Sequence, residues 1–157
     1  MSASDNIAGV IAPPPLLYAG TLAAGLGLDF LFLGVGTGIP GPLRYGLAVL
    51  LGATAAALLV GASRRFRRAG TPGRPWQPTT ANVTDGVYAW TRNPMYLAMM
   101  LAYVMVAIAM DGVITLALVV PLVIVVRFGV ILREERYLEG KFGAAYLSYR
   151  RSVRRWI

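Results

Sequence analysis

The sequence contains neither cysteine nor histidine among its 157 residues. The absence of cysteine excludes disulfide bonds, thiolate catalysis and cysteine-ligated metal sites. The absence of histidine excludes the side chain that most often serves as a general base. A catalytic site in this chain must therefore work without either side chain, and no metal site is predicted.

Charged residues are also scarce, at 14% of the chain, whereas 57% of the residues are hydrophobic. The mean hydropathy is +0.61, well outside the usual balance of a soluble domain. No internal repeat or second domain is evident. The composition therefore predicts an integral membrane protein with a single membrane domain over residues 1–157.

Four apolar stretches are candidates for membrane-spanning helices. Residues 16–35, 43–62 and 113–132 are each long enough to cross a hydrocarbon core roughly 30 Å thick, at about 1.5 Å per residue. Residues 95–110 are at the short end for a spanning helix, and a re-entrant segment is the alternative. The two-residue connection Asp111-Gly112 predicts that this stretch and the next form a tight helical hairpin. We predict an all-α, four-helix membrane fold.

The distribution of basic residues predicts the orientation. Lysine and arginine number 15 against 7 acidic residues, which gives a net charge of +8. With four spans, the N-terminus, residues 63–94 and the C-terminal tail lie on one side and carry almost all of the basic residues. The positive-inside rule places both termini in the cytoplasm, here of a bacterial or archaeal cell. The charge then reflects topology and contact with membrane lipids, and no nucleic-acid partner is expected.

Residues 133–157 form an amphipathic tail after the last apolar stretch. Apolar side chains recur there at three- and four-residue steps, although Gly140 and Gly143 weaken the helical pattern. These side chains are Leu138, Phe142, Tyr146, Tyr149, Val153 and Trp156. The pattern predicts a cytoplasmic helix that lies at the membrane interface and completes a site.

Glu134 and Glu135 follow the last apolar stretch directly. A solvated start of a surface helix, paired with neighbouring arginines, would explain them. Ionisable residues at a membrane span, however, mark functional sites by default. Arg127 precedes Glu134 by seven residues, which at 3.6 residues per turn places the two on nearly the same helical face. We therefore interpret these three residues as site candidates.

A second cluster, Arg92, Asn93, Pro94 and Tyr96, opens the hairpin. Pro94 in the first helical turn and a capping Asn93 have a complete structural explanation. The same helix N-terminus also presents amide groups and a positive dipole end to an anionic group. Because the hairpin helices are antiparallel, this cluster and the glutamate pair are expected to meet.

Three segments carry a resemblance to a known family. They are VTDGVYAWTRNPMYL at residues 83–97, REERYL at 133–138 and FGAAYLSYRRSVR at 142–154. In order and content they resemble the isoprenylcysteine carboxyl methyltransferase and phospholipid methyltransferase superfamily of membrane enzymes. The resemblance covers roughly residues 64 to 157, and the first two helices carry no recognisable signature.

The resemblance implies S-adenosylmethionine in a cytoplasmic pocket, with a lipophilic substrate arriving from the bilayer. Two departures from the family pattern are present: Asn93 replaces a histidine, and Ala98 stands where a glycine often follows the tyrosine. By motif position the resemblance places Arg92, Pro94, Tyr96, Glu134 and Glu135 in the site, and Tyr146 and Arg150 in the tail segment that helps to close it. Together with Arg127, which helical spacing relates to Glu134, the predicted catalytic residues are Arg127, Glu134 and Arg150. The predicted cofactor-binding residues are Tyr88, Arg92, Asn93, Pro94, Tyr96, Glu134, Glu135 and Tyr146.

The chemistry agrees with a site that lacks histidine and cysteine. A sulfonium donor carries an activated methyl group, so transfer to a carboxylate or an amine needs positioning and charge placement more than proton abstraction. Carboxylates suit the ribose hydroxyls and the ammonium group of the donor, and an arginine (Arg127, Arg92 or Arg150) suits an anionic acceptor.

Two alternative functions remain at this stage. A membrane reductase of the sterol-reductase type shares a similar Arg-His-Pro-Asn-Tyr segment but uses a nicotinamide cofactor; the glutamate pair favours methyl transfer. A small four-helix transporter also fits the length, and Asp29 would then be its coupling residue. We favour a structural interpretation of Asp29, as an ion pair or a hydrogen-bonded contact between helices.

Overall fold

The computed structural model of the chain describes residues 7–32, 36–73 and 77–156. These residues form seven α-helices, a 3₁₀ helix Gly86–Ala89 and a π-helical segment Arg127–Ile131, and they include no strand. Residues 33–35 of the first predicted span and residue 157 of the tail lie outside the described residues. The α-helices are α1 Pro14–Leu31, α2 Gly41–Arg68, α3 Pro94–Ala109, α4 Val113–Ala117, α5 Val119–Val126, α6 Leu132–Phe142 and α7 Ala144–Ser152.

Within the described residues, two helical runs are long and apolar enough to cross a membrane. They are α2, with 28 residues, and the run Val113–Phe142, with 30 residues, in which α4, α5, the π-helical segment and α6 follow one another. The apolar helix α3 is shorter, with 16 residues, and α1 has 18. The predicted all-α membrane fold is confirmed.

The outer surface of the helices is apolar. Phe30 and Leu31 of α1, Val49 of α2 and Val120 of α5 are each between 65% and 72% exposed. Large apolar patches on a soluble surface would be an aggregation hazard, whereas hydrocarbon tails solvate them without cost. The exposed apolar side chains are therefore the lipid-facing side of the bundle.

Small residues allow the helices to pack closely inside the bundle. Ala48, Ala55 and Ala62 are buried at seven-residue intervals along α2, which packs along α3. In α1, a Cβ atom added to Gly25 would lie only 2.8 Å from the Thr115 hydroxyl oxygen of α4. Such seams of small residues bring helix backbones together where a membrane supplies no hydrophobic driving force.

Asp29 makes a hydrogen-bonded contact between α1 and the start of α4. Its carboxylate accepts the backbone N–H groups of Ile114 at 2.8 Å and Thr115 at 3.0 Å. The Thr115 hydroxyl also donates to it, at 2.5 Å. The carboxylate therefore caps α4, whose N-terminal amides have no intrahelical partner. Arg44 instead pairs with Asp111 at 2.6 Å.

The predicted hairpin between α3 and α4 is present. The Gly112 N–H donates to the Ala107 carbonyl at 2.9 Å, which closes the end of α3. Asp111 has a φ of 61°, a left-handed conformation that aspartate adopts more readily than most residues. Its carboxylate accepts hydrogen bonds from the Thr37 backbone and hydroxyl. These hydrogen bonds and, to a smaller extent, the ion pair with Arg44 hold the pKa of Asp111 below its ordinary value.

The π-helical segment changes the register of the last span. Its hydrogen bonds join residues five apart, as from the Leu132 N–H to the Arg127 carbonyl, so each turn holds more residues than an α-turn. The seven residues from Arg127 to Glu134 therefore do not complete two turns. Arg127 is exposed, whereas Glu134 is half-buried. The prediction that they share a helical face was wrong for this reason.

The tail consists of two helices with a turn between them. Gly143, with φ 52° and ψ −126°, separates α6 from α7, in a conformation that only glycine adopts readily. Arg150 of α7 pairs with Glu139 of α6 at 2.8 Å. Tyr146 and Tyr149 of α7 pack in a buried cluster with Ala62 of α2. The turn thus folds α7 back against the end of the bundle where α3 begins.

Candidate active site

A cavity of about 240 Å³ lies where α3 begins and α6 emerges from the apolar bundle. The structure brings together around it all of the residues that were expected to bind a cofactor. Those residues are Tyr88, Arg92, Asn93, Pro94, Tyr96, Glu134, Glu135 and Tyr146. The antiparallel hairpin accounts for the meeting of the segments that begin α3 and α6.

Glu134 is the carboxylate of the cavity that has no cationic partner within the described part of the chain. The Tyr96 hydroxyl donates to its Oε2 atom at 2.7 Å, and the ion pairs of the described residues do not include it. Burial raises the pKa of Glu134; the Tyr96 hydrogen bond opposes this shift, and the neighbouring Glu135 adds to it. A cationic group entering the cavity would find a carboxyl group that forms no ion pair with the described residues.

Glu135, by contrast, is neutralised by two arginines. Arg155 donates to it through two parallel bonds, Nε to Oε1 at 2.9 Å and Nη2 to Oε2 at 2.8 Å. Arg92 approaches the same carboxylate with Nη2 at 3.3 Å from Oε1. Buried charges are tolerated when they are paired and hydrogen-bonded in this way. The two adjacent glutamates thus have different surroundings in the cavity.

Arg92 retains donors that the described residues do not use. Its side chain is only 8% exposed, yet its Nε and Nη1 atoms are buried and have no hydrogen-bond partner in the described part of the chain. Buried guanidinium donors are costly when they stay unpaired. Because Arg92 lines the cavity, an anionic group bound there would satisfy them.

Asn93 does not cap α3, contrary to the expectation from its position. The helix has no side-chain capping bond at its start. The Asn93 amide instead donates from Nδ2 to the Arg155 carbonyl at 3.1 Å. The N–H groups of Met95 and Tyr96, which have no intrahelical partner by position, are therefore not capped by this side chain. Both residues line the cavity.

Tyrosines form another wall of the cavity. The Tyr149 hydroxyl donates to the Tyr88 carbonyl at 2.6 Å, and the rings of Tyr146 and Tyr149 meet edge to face at 6.2 Å. Burial raises the pKa of Tyr146 to about 12; Glu135 adds to the shift and Arg92 opposes it. The Tyr146 hydroxyl therefore stays protonated at neutral pH and remains a hydrogen-bond donor.

Other parts of the lining are apolar. Pro14 and Pro15 of α1, Leu59 of α2, Met99 of α3 and Ile131 of the π-helical segment contribute to it. Leu59 and Met99 lie further into the bundle, along their helices, than the charged residues of the site. The cavity therefore joins a charged region to an apolar one. Ala98 is buried and is not among the lining residues.

Two of the three expected catalytic residues lie outside the cavity. Arg127 is on the exposed face of the last span, with its guanidinium 5.4 Å from the centre of the Phe128 ring. Arg150 is 42% exposed and is paired with Glu139. The register change in the π-helical segment and the turn at Gly143 account for these positions. Only Glu134 of that set faces the cavity.

The contact of Arg155 with Glu135 is not predictable from the sequence. Arg155 makes the closest contacts to Glu135 and lies twenty positions after it. No helical spacing relates the two residues, because the turn at Gly143 lies between them. The only available signal was the abundance of arginines in the tail, which does not distinguish Arg155 from its neighbours.

A family model described as phospholipid methyltransferase matches residues 43–145. No curated protein and no solved structure matched the chain. The family match covers about two thirds of the chain and contains both segments that meet at the cavity, the start of α3 and the glutamate pair. The chain therefore belongs to the phospholipid methyltransferase family, whose general activity is methyl transfer.

Proposed function

We propose that this membrane methyltransferase uses S-adenosylmethionine as its donor and methylates a lipophilic acceptor that bears a carboxylate or an amine. The proposal rests on one observation: a carboxylate that needs a cation and a guanidinium that needs an acceptor line the same cavity. Glu134 is a half-buried carboxylate for which the described residues supply no cationic partner, and the buried Nε and Nη1 donors of Arg92 have no acceptor among the same residues. S-adenosylmethionine carries both an ammonium group and a carboxylate.

The residues of the cavity fit the donor on chemical grounds. Arg92 would hold its carboxylate through the unused Nε and Nη1 donors, in a charge-assisted hydrogen bond. Glu134 would accept hydrogen bonds from the ammonium group or the ribose hydroxyls. The uncapped start of α3 adds the backbone donors of Met95 and Tyr96. The protonated hydroxyl of Tyr146 supplies a further donor.

The contribution of the protein to the reaction is positioning and charge placement. S-adenosylmethionine supplies, when bound, a methyl group already activated on a sulfonium sulfur. Glu134 and Arg92 fix the orientation of the donor, and the Tyr96 hydroxyl holds Glu134 in place at 2.7 Å. Buried tyrosines form one wall of the cavity. Holding two reactants in line contributes a large part of such a rate enhancement without a general base.

The apolar part of the cavity supports a lipophilic acceptor. Leu59, Met99 and Ile131 line it on the side of the bundle core. A hydrocarbon chain in contact with them would bring its polar head toward Arg92 and Glu134. We infer that the acceptor enters from the membrane and that the reaction takes place at the cytoplasmic face.

The transporter alternative has no observation in its favour. Both oxygens of Asp29 already accept hydrogen bonds from the start of α4. A coupling residue must exchange its ion or proton with water, whereas this carboxylate is engaged in a structural contact. The reductase alternative loses support because the family match is to methyltransferases.

Calorimetric titration of S-adenosylhomocysteine into the purified protein in detergent tests the proposal. We expect saturable binding, together with a rise in the unfolding temperature at saturating ligand, because a ligand that binds only the folded state stabilises it. NADPH under identical conditions is the control and should have no effect. Binding of NADPH in the absence of any binding of S-adenosylhomocysteine would refute the proposal in favour of a reductase.

A further inference from the structure

The tail segment, residues 153–156, is bonded to the loop that precedes α3. The Arg154 carbonyl accepts the Arg92 N–H at 3.0 Å. The next carbonyl, of Arg155, accepts the Thr91 hydroxyl at 3.0 Å and the Asn93 amide at 3.1 Å. Two consecutive carbonyl groups of the tail segment thus fix the backbone and side chains around Arg92.

The side chain of Arg155 extends from the same place to α6. Its guanidinium binds both oxygens of Glu135, and Trp156 beside it packs against the apolar cluster that contains Tyr96 and Ile131. Arg155 therefore connects the start of α3, through its carbonyl, with the glutamate pair, through its guanidinium. The family match ends at residue 145, so Arg155 lies beyond the matched region.

Arg155 and Arg92 contact Glu135 in different ways. A carboxylate offers two oxygens to a bidentate arginine, and Arg155 contacts both of them at 2.8 to 2.9 Å. Arg92 has only a longer contact, 3.3 Å from one nitrogen. Its Nε and Nη1 atoms have no hydrogen-bond partner among the described residues.

We propose that Arg155 is a positioning residue that keeps Arg92 available for the carboxylate of a bound ligand. Because the Arg155 guanidinium binds both oxygens of Glu135, the Arg92 guanidinium cannot form a bidentate bond with the same carboxylate. The inference rests on the proposed function, because the carboxylate in question is that of S-adenosylmethionine. In this inference Arg155 does not touch the ligand. It determines whether Arg92 is free to bind the ligand's carboxylate.

The test compares two ligands on the Arg155→Lys protein. S-adenosylhomocysteine carries the carboxylate, whereas 5′-methylthioadenosine lacks the whole amino-acid portion. Lysine keeps the positive charge near Glu135 but cannot form the fork. We expect the affinity for S-adenosylhomocysteine to fall roughly tenfold or more, as for the loss of a charge-assisted hydrogen bond. The affinity for 5′-methylthioadenosine should change by less than about twofold.

Arg154→Lys is the matched control, since Arg154 contributes its backbone carbonyl to the contact and its side chain is exposed. This variant should bind both ligands as the wild type does. A reduction in affinity by the same factor for both ligands in Arg155→Lys would show a merely structural role and overturn the inference. Unchanged affinity for both ligands would overturn it as well.

The wild type separates failure of the inference from failure of the proposed function. If it binds neither ligand, the proposed function is wrong and the inference falls with it. If it binds S-adenosylhomocysteine no more tightly than 5′-methylthioadenosine, the donor site stands but carboxylate recognition by Arg92 does not. The result that supports both the proposed function and the inference has two parts. The wild type prefers S-adenosylhomocysteine to 5′-methylthioadenosine, and this preference is lost in Arg155→Lys but kept in Arg154→Lys.

Discussion

The Tyr96 hydroxyl donates a 2.7 Å hydrogen bond to the carboxylate of Glu134. This bond joins the first turn of α3 to the first turn of α6, 38 positions further along the chain. It also holds in place the one carboxylate of the site that no arginine neutralises within the described residues. The polar end of the cavity is therefore assembled by the closure of the hairpin itself.

Glu134→Gln is expected to weaken ligand binding with little effect on the fold. If Glu134 accepts hydrogen bonds from the donor molecule, its replacement should cost about 1.5 to 3 kcal/mol, roughly tenfold to more than a hundredfold in affinity for S-adenosylhomocysteine. Calorimetric titration measures this change. Tyr96→Phe, which removes only the supporting hydroxyl, should cost less. Unchanged affinity in Glu134→Gln would mean that the residue is a solvated helix start.

Glu135→Gln should instead reduce the stability of the protein. Its carboxylate is 7% exposed and compensates Arg92 and Arg155. Removing one partner of a buried pair leaves an uncompensated charge and costs about 3 to 5 kcal/mol. We expect a clear drop in the unfolding temperature in detergent, with Glu134→Gln as the matched comparison. Equal unfolding temperatures for the two variants would contradict the division of roles between the glutamates.

The sequence was sufficient to predict the all-α membrane fold and the meeting of the two motifs, because both depend on local signals. Apolar stretches of spanning length and a two-residue connection determine an antiparallel hairpin, and the hairpin brings Arg92 and Tyr96 to Glu134. The predicted cofactor set lines one cavity for this reason. Whether these residues bind the cofactor is a prediction that the titrations address.

The contacts that could not be predicted arise where the helical register changes. A π-helical segment has no compositional signature, and it moved Arg127 away from the face of Glu134. Gly143 weakens the helical pattern of the tail, which indicates a break there. The direction in which α7 folds back, however, depends on the packing of Tyr146 and Tyr149. The contact of Arg155 with Glu135 follows from that packing and from no spacing in the sequence.

The raised pKa of Glu134 predicts a pH dependence of stability in the protein without ligand. A carboxyl group whose pKa is higher in the folded state than in the unfolded state stabilises the fold while it is protonated. This contribution is lost as the pH rises from the ordinary glutamate value of 4.5 through the raised value. As the pH rises over this range, the unfolding temperature of the wild type should therefore fall relative to that of Glu134→Gln. A constant difference would show that the carboxyl is not shifted.

The predicted topology places the site at the cytoplasmic face. Basic residues concentrate on the side that holds the end of α2, the start of α3 and the tail, where the positive-inside rule expects the cytoplasm. A reporter enzyme that functions only in the cytoplasm should be active when it is fused to the C-terminus. Fusion of the same reporter after Gly112 is the control and should be inactive. The opposite pattern would show that the protein has the inverse orientation, with the site at the other face of the membrane.

Asp29→Asn should lower stability far more than it lowers ligand affinity. The carboxylate accepts three hydrogen bonds at the start of α4, and an asparagine replaces one of its acceptor oxygens by an N–H donor that faces other donors. Leaving such groups unpaired costs about 1 to 3 kcal/mol. Asp29 lies at the end of the bundle opposite the cavity, so the affinity for S-adenosylhomocysteine should stay near that of the wild type. Unfolding curves and titrations on the same preparation measure both quantities. Full stability combined with lost turnover would show that Asp29 takes part in the reaction and would refute its structural role.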